Sequence, residues 1–399
     1  MASSTLELGI DVGSIERVVQ IGAPPSVASL QQRLGRSGRR GEPPVLDAFV
    51  IAPAHPAILE DQLRTELVQT VATVELIGRR WYEPPIRDAL HLSTLVQQFL
   101  SLIAQCSGAT EEEAFSVLCS GGAFTRVTRT QFGSLASYLI RMDLLYRYDS
   151  GLLVLGERGE KLVKAQSFYA AFSTPVEYSV VAEDRILGTL PLTDAVDFGD
   201  SVTFAARRWR VVRIDDIHKK IHVVPTDSAE AAQFLGSSIS VHDEVRREMF
   251  RIYMSEGVPE YLDDGGALLL QQGREYFSTL GLESNRVIAL KQDCVLIPWA
   301  GDRVMNTMRL QLLARGLNVK KSPLALRVLQ CSQERIRELL PALELDDTPA
   351  AVLAEHARSM MVHKHHRRLP PDLLALDYAS EYLDVEASSR AWTAIAETV

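Results

Sequence analysis

The residues best suited to chemistry stand near the start of the chain. Gln32-Arg33-Leu34-Gly35-Arg36-Ser37-Gly38-Arg39-Arg40-Gly41 packs four arginines and three glycines into one short segment. A guanidinium is always charged and presents a planar fork of donors matched to phosphate oxygens. Glycines between the arginines let the backbone turn tightly and approach a ligand closely. At the end of a helix such a cluster is suited to meeting a polyphosphate, but it cannot hold a whole nucleotide alone.

Other clusters invite a second chemistry. Arg79-Arg80-Trp81-Tyr82 and Arg207-Arg208-Trp209-Arg210 each place cations beside an aromatic ring, the combination that tracks a nucleic-acid backbone and stacks its bases. Both tryptophans also fit a core, where tryptophan is mostly found, leaving Arg80 and Arg207 as phosphate contacts. His363-Lys364-His365-His366-Arg367-Arg368 is the densest cationic run; it reads as a basic surface, solvated or touching nucleic acid, rather than as a metal site. His218 and His222 are four apart, but on a strand they share no helical face, so no metal is expected there.

The elements that position the arginines form a β-α-β unit. Ile15–Ile21 reads as a short buried strand, and Gly22-Ala23-Pro24-Pro25 breaks it. Ser26 caps a helix over Val27–Leu34, and Val45–Ile51 is the second strand. The connection implies a parallel pair with a right-handed crossover. The arginines lie at the exit of the crossover helix.

From Ile58 to Ile77 the spacing of Leu63, Leu67, Val71 and Val74 predicts one amphipathic helix. Pro84-Pro85 marks a boundary. Beyond it, Val96, Phe99, Leu100 and Ile103 line a first helix, Thr110-Glu111-Glu112-Glu113 opens a second, and Thr128–Met142 forms a third. A hairpin over Leu144–Leu155 turns at Asp149-Ser150-Gly151. Three helices and a two-stranded wing describe a winged helix. Its third helix would present Arg129, Gln131, Ser134 and Arg141, with Arg126 just before it. That face suits nucleic acid, and such modules also serve inside enzymes purely as packing units.

From about Gln166 a mixed α+β region follows, with five strands over 176–224, helices over 241–255, 266–280 and 303–315, a strand over 293–299, and helices over 348–362 and 371–383. Asp302 reads as the cap of the helix after it. The expected organisation is α+β and multidomain: 1–57 the end of a RecA-like α/β domain, 58–90 a connecting helix, 91–165 the winged helix, and 166–399 one mixed domain.

The 399 residues suffice for two or three domains. A formal net charge of −9 argues against bulk attraction to nucleic acid, so any such binding must come from local clusters. The four cysteines are far apart and lack a C-x-x-C pair, which predicts reduced thiols and a cytoplasmic setting. No signal peptide and no long apolar run are present, so no membrane partner is expected.

Thr5-Leu6-Glu7-Leu8-Gly9-Ile10-Asp11 followed by Gln32–Arg39 resembles motifs V and VI of ATP-dependent helicases built from two RecA-like domains. The order of parts afterwards, with Gly22–Ser29, His91–Gln98 and Pro298-Trp299-Ala300-Gly301-Asp302-Arg303, resembles the Lhr helicase core, a family linked to DNA repair. The resemblance implies an ATP-dependent motor on single-stranded DNA, moving 3′ to 5′ and preferring RNA:DNA hybrids. It implies that Arg36 and Arg39 act as arginine fingers on the γ-phosphate. It also implies that Gln32, Gly9 and Asp11 border the nucleotide, and that Thr5 meets the nucleic-acid backbone.

No G-x-x-x-x-G-K-[ST] and no acidic box occur in the sequence, the parts that hold ATP and Mg²⁺ in such motors. The chain is therefore expected to lack ATP turnover unless a separate polypeptide or upstream part carrying the first RecA domain completes the site. The alternative is a non-enzymatic nucleic-acid-binding module that retains the motifs as relics.

Overall fold

The computed structural model describes residues 15–38, 43–53, 55–56, 58–170, 177–183, 185–191, 201–204, 207–215, 218–226 and 240–398. The first elements are β1 (Val18–Ile21), α1 (Val27–Leu34) and β2 (Leu46–Phe49). β1 and β2 pair in parallel, Val18 opposite Leu46 and Ile21 opposite Phe49, so α1 is the crossover. β1 is not buried throughout, as its composition predicts. Val18 and Gln20 are buried, whereas Val19 and Ile21 are 52% and 58% exposed and Phe49 on the same face is 58% exposed. A parallel sheet normally has both faces covered; here, among the described residues, two strands pair and Val19, Ile21 and Phe49 stay exposed.

The single helix predicted over 58–77 is two, α2 (Leu59–Gln62) and α3 (Thr65–Gly78), interrupted where Arg64 takes a left-handed φ of 53°. α3 is buried almost all round, through Leu67, Val68, Val71, Ala72 and Leu76. The Thr70 and Thr73 hydroxyls donate back to the carbonyls of Glu66 and Gln69, which lets polar side chains sit inside without stranded donors.

α4 (Leu92–Cys106), β3 (Ala109–Thr110), α5 (Glu111–Phe115), α6 (Arg129–Arg141), β4 (Leu145–Arg147), β5 (Leu152–Leu155) and α7 (Glu157–Lys164) give the three helices and wing read from the sequence. Thr110 with Glu113 and Thr128 with Gln131 form reciprocal capping boxes at the starts of α5 and α6. The wing turns on Gly151, φ 85°. Gly159 packs so tightly on the Leu144 carbonyl that an added Cβ would lie 2.1 Å from its oxygen.

The next five strands are β6 (Glu177–Ala182), β7 (Arg185–Pro191), β8 (Ser201–Phe204), β9 (Arg207–Asp215) and β10 (Lys220–Pro225), ordered β7-β6-β10-β9-β8. After α8 (Asp243–Met254) and α9 (Asp264–Thr279), the strands β11 (Val287–Leu290) and β12 (Asp293–Leu296) lead to α10 (Asp302–Ala314). β13 (Val319–Lys321), β14 (Leu326–Val328), α11 (Gln333–Glu344), α12 (Ala350–Ala354), α13 (Pro371–Tyr382) and α14 (Val385–Ala396) complete the order. Gly301, not Asp302, caps α10. Asp302 instead accepts from the Val241 amide at 2.8 Å and pairs with Lys321 at 2.9 Å.

The chain forms two compact units: 1–84 with 176–346 and 386–399, and 85–175 with 347–385. The units change over between Pro84 and Pro85, and residues 166–399 divide between them. In the second unit the winged-helix core, with Phe99, Phe132 and Leu153, also includes Leu369, Leu373 and Leu374 from near and within α13. In the first, α3, α8 and α9 share one core, and β11–β14 with α10, α11 and α14 share another.

Candidate functional site

α1 is locked at both ends by identifiable groups. Val27 and Leu30 are fully buried, each worth about 1.5–3 kcal/mol of burial. The Ser26 hydroxyl accepts from the Ser29 amide at 3.2 Å, as its sequence position predicts. The free amides of Val27 and Ala28 donate to the carboxylate of Glu83 at 2.6 and 2.8 Å. Hydrogen bonds to a charged group contribute about 1.5–3 kcal/mol. The loop before the helix is held from α3: Ala23 donates to Glu66 at 3.2 Å, and Gln69 donates to the Pro24 carbonyl at 2.9 Å. Gln69 in turn accepts from the fully buried Arg246 at 2.9 Å, whose other nitrogen donates to the Pro323 carbonyl at 2.5 Å. Burial raises the Glu66 carboxyl above its ordinary range, against the lowering effect of the Ala23 amide.

The N-terminus of α1 is thus taken by the chain's own carboxylate, and the arginine segment lies at the other end. There Arg33 donates to Gln20 at 2.8 Å, and Gly35 closes the last turn onto Gln31 at 2.8 Å. Ser37 donates to the Leu34 carbonyl at 2.9 Å and accepts from the Val45 amide at 3.3 Å, which ties the segment to the start of β2. Gln32 is exposed and Arg36 half-buried at this end, where cations also complement the helix dipole. Thr5, Gly9, Asp11 and Arg39 lie outside the described residues.

The winged-helix arginines are present where expected, and each has a partner. Arg126 pairs with Asp88 at 2.6 Å. Arg129 forks onto both oxygens of Glu112 and lies 4.8 Å from the Phe115 ring centre. Arg147 pairs with Glu111 at 2.5 Å, and Arg141 lies over Tyr138 at 5.2 Å. Gln131 is committed to its capping box. Exposed pairs of this kind stabilise little, but they cancel charge.

Arg80 is exposed and adopts φ 56° just after α3, while Trp81 is half-buried with its ring 5.1 Å from that of His242. Trp209 is buried, as a core tryptophan should be. Arg207 begins β9 opposite Phe204.

The cationic run 363–368 is largely packed inside, with Arg367 its exposed member. His365, His366 and Arg368 are buried. His366 contacts Asp377 at 3.0 Å, His363 contacts Glu381 at 2.7 Å, and Lys364 donates to the carbonyls of Ser167 and Ala170. Burial, then the nearby Arg368, Lys364 and Arg367, pushes His365 down to about 4, whereas Glu381 raises His363. Arg368 reaches the His365 ring at 3.0 Å. This run clamps α13 onto the start of α4, where Asp377 also accepts from the Leu92 amide at 2.8 Å. Among the described residues no group of three or more His, Cys, Asp and Glu side chains is placed to hold a metal ion, and no helix is long and apolar enough to cross a membrane. The cysteines are free thiols, with Cys119 raised by burial to about 11 and Cys294 to about 12.

Sequence reasoning missed Glu83, Gln69 and Arg246 as the anchors of α1, because their contacts span between 45 and 177 positions and leave no local signature.

Comparison with known proteins fits this arrangement. The family described as "Helicase conserved C-terminal domain" matches residues 1–41. The Lhr helicase/probable uracil glycosylase of Mycolicibacterium smegmatis is 26% identical over 255 residues, 58% of this chain and 16% of that protein. The ATP-dependent helicase Lhr-Core of Methanocaldococcus jannaschii is 52% identical over 40 residues, 10% of this chain and 5% of that protein. The solved Mycobacterium smegmatis helicase Lhr, bound to ssDNA and AMP-PNP, superposes with a TM-score of 0.55 at 18% identity, covering 99% of this chain and 55% of that one. The chain resembles the C-terminal part of Lhr-type helicases, and it spans only a small share of the curated relatives it matches.

Proposed function

We propose that this chain serves an ATP-dependent, Lhr-type DNA helicase or translocase, completing an ATP cleft with its arginine segment and binding a single strand. The observation that carries the reading is α1: a Q-R-x-G-R-x-G-R segment at the exit of a crossover helix whose N-terminus is already capped by Glu83. With its N-terminus occupied by Glu83, α1 offers its cationic end to the terminal phosphate. Arg36, with Arg39 beyond it in sequence, takes the arginine-finger role, neutralising charge that develops during phosphoryl transfer. Gln32 stands at the same end, and Gly9, Asp11 and Thr5 take the roles the motif resemblance implies.

ATP with Mg²⁺ supplies the phosphoanhydride bond when bound; this chain's residues fit its terminal phosphate and not its remainder. The uncovered face of β1 and β2 supports completion by further RecA-type polypeptide, since Val19, Ile21 and Phe49 would be buried by it. Single-stranded DNA, or an RNA:DNA hybrid during unwinding, is the partner; the ssDNA in the solved relative supports this.

The purified chain should therefore bind ssDNA with steep salt dependence and show no ATP turnover of its own. Turnover that Arg36→Ala abolishes would contradict the half-site reading. The non-enzymatic binding module is the second reading; restoration of turnover by a polypeptide carrying a lysine loop rules it out.

A further inference from the structure

The five-stranded sheet has one packed face and one that carries charge. Tyr178, Val180, Trp209, Val211, Ile221 and Val223 are buried together on the first. By strand alternation, the residues between them on β9 and β10 face the other way. Arg210 stands opposite Val224, and Arg213 stands opposite His222 after a bulge between His222 and Val223. Lys220 stands opposite Asp215. Cross-strand partners share a face, so Arg210, Arg213, His222 and Lys220 form one strip along the strands.

The strip is under-compensated. Its carboxylate, Asp215, is only 14% exposed; it accepts from the His218 amide at 3.0 Å and contacts the His218 ring and Arg213, each at 3.0 Å. Arg213 nonetheless keeps 65% of its side chain exposed. Arg210 and Lys220 are exposed and have no ion-pair partner among the described residues. In a chain of formal charge −9, an uncancelled basic strip is a specific local field rather than a consequence of composition.

We infer that the outer face of β9 and β10 binds the sugar-phosphate backbone of single-stranded DNA, with Arg210 and Lys220 as phosphate contacts. This rests on the proposed nucleic-acid function and assigns it a surface. Arg210 and Arg213 on β9 and Lys220 on β10 occupy three successive cross-strand positions on that face, a single row that follows one backbone; a duplex presents two. The tryptophan beside the arginines plays no part in stacking, because Trp209 belongs to the packed face. Contact is therefore electrostatic and indifferent to base sequence.

The test is fluorescence-anisotropy titration of the full chain with a labelled oligothymidylate between about 50 and 200 mM salt. The double variant Arg210→Ala with Lys220→Ala is expected to bind roughly tenfold more weakly. Its log-log salt slope should be smaller by about 1.4, from two lost contacts on a single strand. Arg210→Lys with Lys220→Arg should restore binding, and unchanged thermal melting of both variants confirms that the sheet is intact. Wild-type binding with an unaltered slope in the alanine variant would overturn this surface and leave the proposed function standing. Absence of wild-type binding at low salt would overturn both.

Discussion

Two arginine-bearing surfaces of this molecule look alike in sequence and differ in what faces them. On α6 and the wing, Arg126, Arg129 and Arg147 meet Asp88, Glu112 and Glu111. On β9 and β10, Arg210 and Lys220 meet no carboxylate among the described residues. A winged helix is the more familiar DNA-binding shape, yet of Arg126, Arg129, Arg141 and Arg147 all but Arg141 are paired with carboxylates. The number of arginines on an element therefore says little about polyanion binding until their partners are known, because a phosphate must outcompete a carboxylate already in place.

The comparison can be broken or sharpened by moving charge. The largest effect is expected from Arg210→Glu with Lys220→Glu, which should weaken oligothymidylate binding on the order of a hundredfold at low salt, measured by anisotropy. Arg126→Ala with Arg129→Ala should change it less than about twofold. Equal losses from the two variants would erase the distinction between the surfaces.

A third cationic stretch, buried instead of exposed, responds to protons. His365 is held neutral down to about 4, while its unfolded counterpart takes a proton near 6.5. Between those values the unfolded state binds more protons, so stability falls as pH falls through that window. The cost at the acid end is on the order of 3 kcal/mol. His363 acts with opposite sign: its Glu381 contact is fully felt below its unfolded pKa and is lost as pH rises through the raised folded value. Thermal melts at about pH 7 and about pH 5 should show a drop that His365→Gln reduces; an equal drop in the variant would refute the assignment.

Smaller effects concern the winged helix. Glu111→Gln with Glu112→Gln releases Arg147 and Arg129, and should tighten ssDNA binding several-fold with a steeper salt slope. No gain would mean that the face is unsuited to a strand even when uncompensated. The stability change on Arg129→Ala should stay under about 1 kcal/mol in chemical denaturation, as for exposed pairs generally.

Local signals in the sequence located α1, α6 and the wing, because Ser26, the Thr128–Gln131 box and Asp149-Ser150-Gly151 act within a few residues. The arginine segment was legible for the same reason. What escaped depends on distant partners. The run 363–368 reads as surface until Asp377 and Glu381 of α13 supply its acids and the fold buries it. The membership of 347–385 in the winged-helix unit follows from Leu369, Leu373 and Leu374 entering that core, which no periodicity announces. α11 carries an internal proline at Pro341 that masks its helical pattern. β1 reads as buried by composition, but among the described residues its sheet has two strands, and Val19 and Ile21 are exposed.

The central claim, that the uncancelled strip and not the winged helix carries the strand, is tested most directly by photocrosslinking. The full chain is irradiated with bromodeoxyuridine-substituted ssDNA, and the crosslinked peptides are mapped by mass spectrometry. Crosslinks concentrated in 207–225 are predicted. Crosslinks concentrated in 126–147, with 207–225 unmodified, would contradict the account.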